Sequence, residues 1–217
     1  MTYTVVVIGA TGGLGAAIAQ AYARKGARIV LIARREERLH ALAESIGRAD
    51  TLTLGADITQ PEDLSRAAHT IQARFGRIDV VINAAGVDVR GAFTNHTVEE
   101  SRQLVEVNLL GAIWITRAFL PGMLEQKSGV IVHVGGFADG RLAFPFYTVD
   151  SAARAGVRGF VDAINREHEN SGVTVTYFCP APADTEAERP FHPIWRAMGT
   201  PIVTPEQVAA ALIKTVD

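Results

Sequence analysis

The chain has 217 residues, of which 48% are hydrophobic and 20% are charged, and its formal net charge is −2. This composition predicts one globular domain over residues 1–217 and argues against an electrostatic nucleic-acid binder. Its single cysteine, Cys179, cannot form an internal disulfide, and no basic leader or long apolar span opens the sequence. We therefore expect a cytoplasmic protein that does not insert into membranes.

Short apolar runs alternate with helical patterns along the chain, and uninterrupted β-branched runs are typical of strands buried on both faces. Strands are predicted at residues 3–8, 28–33, 51–56, 80–83, 130–134 and 173–178. Helices are predicted at residues 14–25, 35–46, 61–75, 99–126, 151–170 and 205–216. This alternation predicts an α/β fold, a Rossmann-like doubly wound parallel sheet of about six strands with helices on both faces.

Three helix starts have the spacing of a capping box, in which two side chains satisfy backbone N–H groups of the first turn. The pairs are Thr59 with Glu62, Thr97 with Glu100, and Thr204 with Gln207. These pairs predict where three of the helices begin.

The first predicted strand runs into a glycine-rich turn that opens the first helix. Glycines allow a sharp turn and bring backbone N–H groups against a phosphate at a helix N-terminus, where the dipole favours anions. A glycine turn without a ligand has the same composition, but the strand–turn–helix setting favours a dinucleotide site. The predicted contacts are Gly9, Thr11, Gly12, Gly13, Leu14 and Gly15.

Further motifs follow in order: Asp57 after the third strand, Asn83-Ala84-Ala85-Gly86 after the fourth, Asn108 within a helix, and residues 180–185 after the sixth. With the glycine turn, they resemble the short-chain dehydrogenase/reductase family over nearly the whole chain. Ala181 stands where the family has a glycine. The resemblance implies further cofactor contacts at Asp57, Ile58, Asn83, Ala84, Ala85, Gly86, Pro180 and Thr185.

The end of the second strand indicates which dinucleotide binds. An acidic residue there would bind a ribose 2′-hydroxyl and repel a 2′-phosphate. This chain has Ala33, followed by Arg34 and Arg35. A guanidinium binds phosphate through charge-assisted hydrogen bonds, so NADP(H) is predicted over NAD(H), with Arg34 as the contact. The alternative is that both arginines simply open a solvated helix.

By resemblance, the reaction is hydride transfer between nicotinamide and a small carbonyl or alcohol, assisted by a serine, a tyrosine and a lysine four residues later. Two alignments are open. In the first, Tyr147 is the tyrosine and Ser151 takes the lysine position. In the second, Asp150 and Arg154 take these positions and Gly136 takes that of the serine.

The second alignment is favoured because residues 151–160 resemble the family's helix just past the tyrosine. The three lysines, Lys25, Lys127 and Lys214, lie elsewhere in the sequence, and no serine follows the fifth strand before Ser151. The Ser-Tyr-Lys set is therefore degenerate in either alignment.

The predicted catalytic residues are Asn108, Tyr147, Asp150 and Arg154. An unperturbed aspartate titrates near ~3.9 and a tyrosine near ~10, so Asp150 has no proton to give at neutral pH. Arg154 is predicted to pair with Asp150 and to contact the nicotinamide ribose, while Tyr147 packs at the cleft wall or substitutes as the acid. Loss of a general acid reduces rates on the order of 10²–10⁴-fold, so we predict weak or altered activity. The alternative is a nucleotide sensor or scaffold subunit without turnover.

Residues 186–204 form an irregular, proline-containing segment that resembles the family's substrate-covering loop, with aromatic side chains that line a pocket or contact another subunit. The resemblance also implies a homo-oligomer, a dimer or tetramer, formed through the two long helices. Histidines and acids lack metal-ligand spacing, so no metal is predicted. A lone histidine at the end of a strand, His133, is predicted to be a hydrogen-bonded structural residue.

Overall fold

A computed structural model describes residues 3–136 and 141–216. Its described strands form one six-stranded parallel sheet in the order β3-β2-β1-β4-β5-β6. The strands are β1 (Thr4–Ile8), β2 (Arg28–Ala33), β3 (Thr51–Gly55), β4 (Val80–Asn83), β5 (Gly129–Val134) and β6 (Val173–Phe178). The prediction of a doubly wound α/β sheet is confirmed, and each strand lies within one residue of its predicted bounds.

Helices cover both faces of this sheet, because alternate residues of each strand point to opposite sides. Val6 and Ile8 of β1 belong to one core cluster and Val5 and Val7 to the other. The helices are α1 (Gly13–Arg24), α2 (Glu36–Ile46), α3 (Pro61–Phe75), α4 (Val98–Val105), α5 (Gly111–Glu125), α6 (Thr148–Glu167), α7 (His192–Ala197) and α8 (Pro205–Val216). The first cluster packs α3, α5 and α6, and the second packs α1, α2 and α8.

The prediction of one continuous helix over residues 99–126 is wrong in its middle. A π-helical turn, Glu106–Leu110, separates α4 from α5 and contains Asn108. A π turn is a local widening of the helix, often at a functional site, and apolar periodicity does not reveal it. The turn presents the Asn108 side chain to the loop after β4.

Two of the three capping boxes are confirmed. Thr97 and Glu100 exchange both bonds at the start of α4, and the Thr204 pair does the same before α8. The Thr59–Glu62 box is wrong, since α3 begins after Gln60 without a side-chain cap. Instead, the Thr59 N–H and hydroxyl both bond to a carboxylate oxygen of Asp57, in a local Asx turn.

The segment 186–204 is less irregular than predicted, because it contains the short 3-10 turn Arg189–Phe191 and α7. Prolines at the first turns of both elements supply the fixed φ that suits a helix start. The segment thus has a folded centre, with Trp195 buried.

The helical run Val98–Glu125 is long and apolar enough, by length and composition alone, to cross a membrane. A core helix meets the same criterion. In this fold, Ile115, Phe119 and Met123 of that run are buried against the sheet.

Candidate functional site

The sheet has its switch point between β1 and β4, where the crossovers run in opposite directions, and ligands of such sheets bind at the carboxyl ends of the strands there. Two adjoining cavities lie along this edge. The outer cavity, about 230 Å³, lies between the glycine turn, Arg34 and Asp57. The inner cavity, about 290 Å³, lies between the loop after β4, the start of α6 and the end of β6. Residues 84–87 line both cavities.

The glycine turn is packed so closely that two of its positions exclude a side chain. Gly9 has a φ of +77°, and a Cβ there would lie 2.5 Å from the backbone nitrogen of Ala85. A Cβ on Gly15 would lie 2.3 Å from the Gly9 carbonyl oxygen. Gly13 faces Thr185, whose Cγ2 would be 2.9 Å from its Cβ. The turn therefore holds the start of α1 against the loops after β4 and β6.

Gly12 is different, because the described part of the chain leaves space at this position. Among the described atoms, its Cβ would meet only the Gly9 carbonyl oxygen, at 3.4 Å, and its backbone is extended. Gly12 is also the N-cap of α1 and has no side chain, and no side chain among the described residues caps the first turn, which carries no acid. Uncapped N–H groups beside an open cavity are the elements of a phosphate site.

The two arginines of the outer cavity are exposed, and Asp57 is partly buried. Arg34 has 72% of its side chain accessible, and its Nη1 lies 4.0 Å from Asp57 Oδ2. Arg35 also lines the cavity, as the N-cap of α2. The predicted cofactor residues on this cavity are Gly9, Thr11, Gly12, Arg34, Asp57, Ile58, Ala84, Ala85 and Gly86.

A buried hydrogen-bond chain supports the loop between the cavities. Asn83 Oδ1 accepts the Ala85 N–H at 3.1 Å, so its Nδ2 faces His133 Nδ1 at 3.3 Å. His133 Nε2 lies 2.9 Å from the Thr116 hydroxyl, which donates to the Ala112 carbonyl. Burial lowers the pKa of His133 to about 4, so the ring is neutral. The network assigns the proton to Nε2, and His133 is structural, as predicted.

Asn108 joins the loop after β4 to the start of α6. Its Oδ1 accepts the Val87 N–H at 3.0 Å, and its Nδ2 donates to the Val87 carbonyl at 2.8 Å and to Asp150 Oδ1 at 3.1 Å. The other oxygen of Asp150 accepts from Arg154 Nε at 2.5 Å. Asp150 is 1% exposed, and both of its oxygens are bonded. Asp150 and Arg154, the residues of the second alignment, are thus the side chains gathered at Asn108.

The predicted Asp150–Arg154 pair joins a buried carboxylate to a guanidinium that is 17% exposed, and the spacing of one helical turn does not reveal this burial. Burial opposes the charge on Arg154, but the adjacent carboxylate of Asp150 outweighs this effect and raises the pKa of Arg154 above its ordinary value. Breaking a buried pair from one side is strongly destabilising, because the other charge is left uncompensated.

Two glycines at the end of β5 make room for large side chains. A Cβ on Gly136 would lie 2.9 Å from the guanidinium carbon and terminal nitrogens of Arg154. A Cβ on Gly135 would lie 2.6 Å from the Tyr177 hydroxyl. Sequence reasoning missed Tyr177, because a tyrosine near the end of a strand carries no motif of its own.

Sequence reasoning also missed Arg90, which gathers three loops at the inner cavity. Its side chain is 10% exposed and forms ion pairs with Asp88 and Glu188. The guanidinium carbon lies 3.5 Å from the ring centre of Phe191 and 5.0 Å from that of Tyr147. Arg90 therefore ties the loop after β4 to the segment after β6.

The inner cavity contains two partly buried phenols. Burial raises the pKa of Tyr147 to about 12, and that of Tyr177 to about 12, although nearby guanidiniums act in the opposite direction. Both hydroxyls are therefore protonated at neutral pH. The predicted site residues on this cavity are Leu14, Asn83, Ala84, Ala85, Gly86, Asn108, Tyr147, Asp150, Arg154, Pro180 and Thr185.

Within residues 3–136 and 141–216, no three histidine, cysteine, aspartate or glutamate side chains gather closely enough to hold a metal ion.

Comparison with known proteins identifies the family. Residues 3–193 match the family described as short chain dehydrogenase, so the chain belongs to this family of nicotinamide-dependent oxidoreductases. The ketoacyl reductase HetN of Nostoc sp. is 32% identical over 222 residues, covering 98% of this chain and 75% of that protein. The resemblance inferred from the motifs is confirmed.

Solved structures agree with this assignment. A metagenomic short-chain oxidoreductase in complex with NADP is 26% identical, with a TM-score of 0.82, over 99% of this chain and 90% of that one. Actinorhodin polyketide ketoreductase with NADPH is 25% identical, with a TM-score of 0.89, over 100% of this chain and 90% of that one.

Proposed function

We propose that this protein binds NADP(H) and catalyses, at a low rate or in an altered form, hydride transfer between nicotinamide and a small carbonyl or alcohol. One observation carries the proposal: a phosphate-type cradle adjoins an inner cavity in which the carboxylate of Asp150 is already bonded through both oxygens. Two of the similar solved structures hold NADP or NADPH, which supports the choice of cofactor.

The residues present fit such a cofactor. Packing within the chain itself demands glycine at positions 9 and 15, but not at Gly12, where the missing side chain leaves room beside uncapped N–H groups. The exposed guanidinium of Arg34 suits a 2′-phosphate, because its contact with Asp57 is long and solvated. When bound, the nicotinamide supplies or accepts the hydride.

The chain's own residues hold the cofactor-binding loops in place and orient the nucleotide. Asn83 fixes the loop beneath the cavity, and Thr185 packs on the glycine turn. Arg154 keeps its ion pair through Nε while its terminal nitrogens face Gly136, and we assign it the contact with the nicotinamide ribose.

Proton transfer is the weak step. Gly136 has no hydroxyl to orient a carbonyl, and both carboxylate oxygens of Asp150 are occupied by hydrogen bonds from Asn108 and Arg154. Tyr147 is the substitute acid that we favour, because its hydroxyl is protonated and its ring lines the inner cavity. A phenol with a pKa of about 12 is a poor acid at neutral pH, so a low rate follows.

The test follows the absorbance of NADPH in the presence of a panel of aldehydes and ketones, with calorimetry as a separate measure of binding. We expect NADPH to bind more tightly than NADH, and slow turnover that Tyr147→Phe removes while binding persists. Tyr3→Phe, a change of the same size near the sheet's amino end, is the control. Absence of NADPH binding would refute the proposal.

A second function, nucleotide binding without turnover as a sensor or scaffold subunit, is favoured by the fully bonded state of Asp150. The combined change of Gly136→Ser, Asp150→Tyr and Arg154→Lys separates the two functions. If the parent binds NADPH but reduces no carbonyl, and the triple variant gains turnover, the parent is a binding protein. Measurable turnover in the parent rules this second function out.

A further inference from the structure

The inner cavity carries more negative than positive groups. Among the residues that the structure describes, three carboxylates and two guanidiniums line it, which gives a formal charge of −1. These side chains are Asp88, Asp150, Glu188, Arg90 and Arg154. The neutral ring of His133 adds nothing to this balance.

Each carboxylate accepts hydrogen bonds from donors of the chain, and Asp88 accepts from Arg90. Asp150 accepts from Asn108 and Arg154. Glu188 accepts from Arg90 and from the indole N–H of Trp195. These carboxylates are therefore held in fixed positions on the cavity wall.

The outer cavity has the opposite balance. Its described charged side chains are Arg34, Arg35 and Asp57, with a formal charge of +1. The crevice thus has a positive outer end, where phosphates are proposed to bind, and a negative inner end, where the nicotinamide is proposed to bind.

We infer that the inner cavity discriminates between the two oxidation states of the nicotinamide and binds NADP⁺ more tightly than NADPH. This inference rests on the proposed function, that the chain binds NADP(H). The oxidised ring carries one positive charge and the reduced ring carries none, while the phosphates of the two forms are the same. A concave cavity of low dielectric strengthens the attraction between fixed carboxylates and the cationic ring.

The pairing of Asp150 with Arg154 permits this preference. A buried cation by itself in the inner cavity would repel the oxidised ring. Here the positive charge of Arg154 is cancelled by a carboxylate one turn earlier in the same helix. The second cation, Arg90, faces two carboxylates, so the negative excess comes from the Asp88–Arg90–Glu188 group. Tighter binding of the oxidised form makes the bound reduced form a stronger hydride donor.

The experiment measures Kd for NADP⁺ and for NADPH by calorimetry at low ionic strength, and compares their ratio among variants. The ratio cancels any effect that a substitution has on both forms alike. Glu188→Gln removes one charge and leaves Arg90 paired with Asp88. Asp150→Asn removes another, and Asp162→Asn is the matched control, an exposed residue on the same helix.

We expect the parent to prefer NADP⁺, and Glu188→Gln and Asp150→Asn each to move the ratio about tenfold toward NADPH. Asp162→Asn should leave the ratio unchanged. The double change Asp150→Asn with Arg154→Met removes a charge of each sign, so it should keep the parent's ratio. If Asp150→Asn does not fold, Glu188→Gln and the double variant decide the question.

Equal affinities of the parent for the two forms, or a ratio that Glu188→Gln does not change, would overturn the inference. If the parent binds both forms but Glu188→Gln leaves the ratio of the two Kd values unchanged, the proposed function still stands. Failure of the parent to bind either form overturns the inference and the proposed function together.

Discussion

The two cavities differ in how their charged groups are satisfied. In the inner cavity, Asp150 is buried and bonded to the partly buried Arg154, and Arg90 is enclosed by carboxylates and aromatic rings. In the outer cavity, Arg34 is exposed and makes one long contact with Asp57. Charges that have partners within the chain stabilise the fold, whereas exposed charges are available to a ligand. Substitutions inside should therefore reduce stability, and substitutions outside should reduce only affinity.

The largest effect is expected from Arg154→Ala, which leaves Asp150 buried without its cation. Removing one partner of a buried pair costs about 3–5 kcal/mol in the free energy of unfolding, to be measured by urea denaturation. Arg166→Ala, an exposed arginine on the same helix, is the control. A loss no greater than that of the control would show that the pair does not stabilise the fold.

The next effect is a pH dependence from His133, beneath the inner cavity. Burial lowers its pKa to about 4, whereas an unfolded histidine titrates near ~6.5. The contribution of neutral His133 to the free energy of unfolding is complete above the unfolded pKa and is lost as the pH falls toward 4. This loss is on the order of 3 kcal/mol. The unfolding temperatures of the parent and of His133→Gln, measured as a function of pH, should converge over this range as the pH falls. Parallel curves would contradict the prediction.

In the outer cavity, Gly12→Val should weaken nucleotide binding and leave the fold intact. The extended backbone at Gly12 accepts a side chain, but that side chain would cover the N–H groups of α1. Loss of two charge-assisted hydrogen bonds weakens binding roughly a hundredfold, as calorimetry with NADPH would show. Gly122→Val, on an open helix face, is the control. A drop in the unfolding temperature that occurs in Gly12→Val but not in the control would contradict the expectation that substitutions in the outer cavity reduce only affinity.

A smaller effect is expected from Arg34→Ala. Loss of one exposed guanidinium should weaken NADPH binding about tenfold and leave NADH binding unchanged. Arg38→Ala, a nearby exposed arginine on α2, should change neither affinity. An equal loss for both nucleotides would show that Arg34 does not contact the 2′-phosphate.

The fold and the outer cavity were largely predictable from the sequence. Buried β-branched runs, caps such as Thr97 with Glu100, and the glycine turn are local patterns that directly reflect local structure. The helix of residues 99–126 was mispredicted at Asn108, because a π turn leaves the apolar pattern intact.

The inner cavity was predictable only in part. Asp150 and Arg154 were found through the family resemblance, but their burial depends on packing around α6. Arg90, Glu188 and Tyr177 belong to different loops and strands, and only the tertiary fold brings them together. The homo-oligomer and the substrate-covering role of residues 186–204 stay predictions.

The fit between Gly136 and Arg154 limits the order in which this site can change. A serine at position 136 would displace the Arg154 guanidinium, which Asp150 holds in place. Loss of Arg154 first would leave the buried carboxylate of Asp150 without its cation. Each single step toward a hydroxyl-bearing site therefore passes through a less stable protein. The residues at positions 136, 150 and 154 therefore have to be replaced together if the protein is to keep its stability.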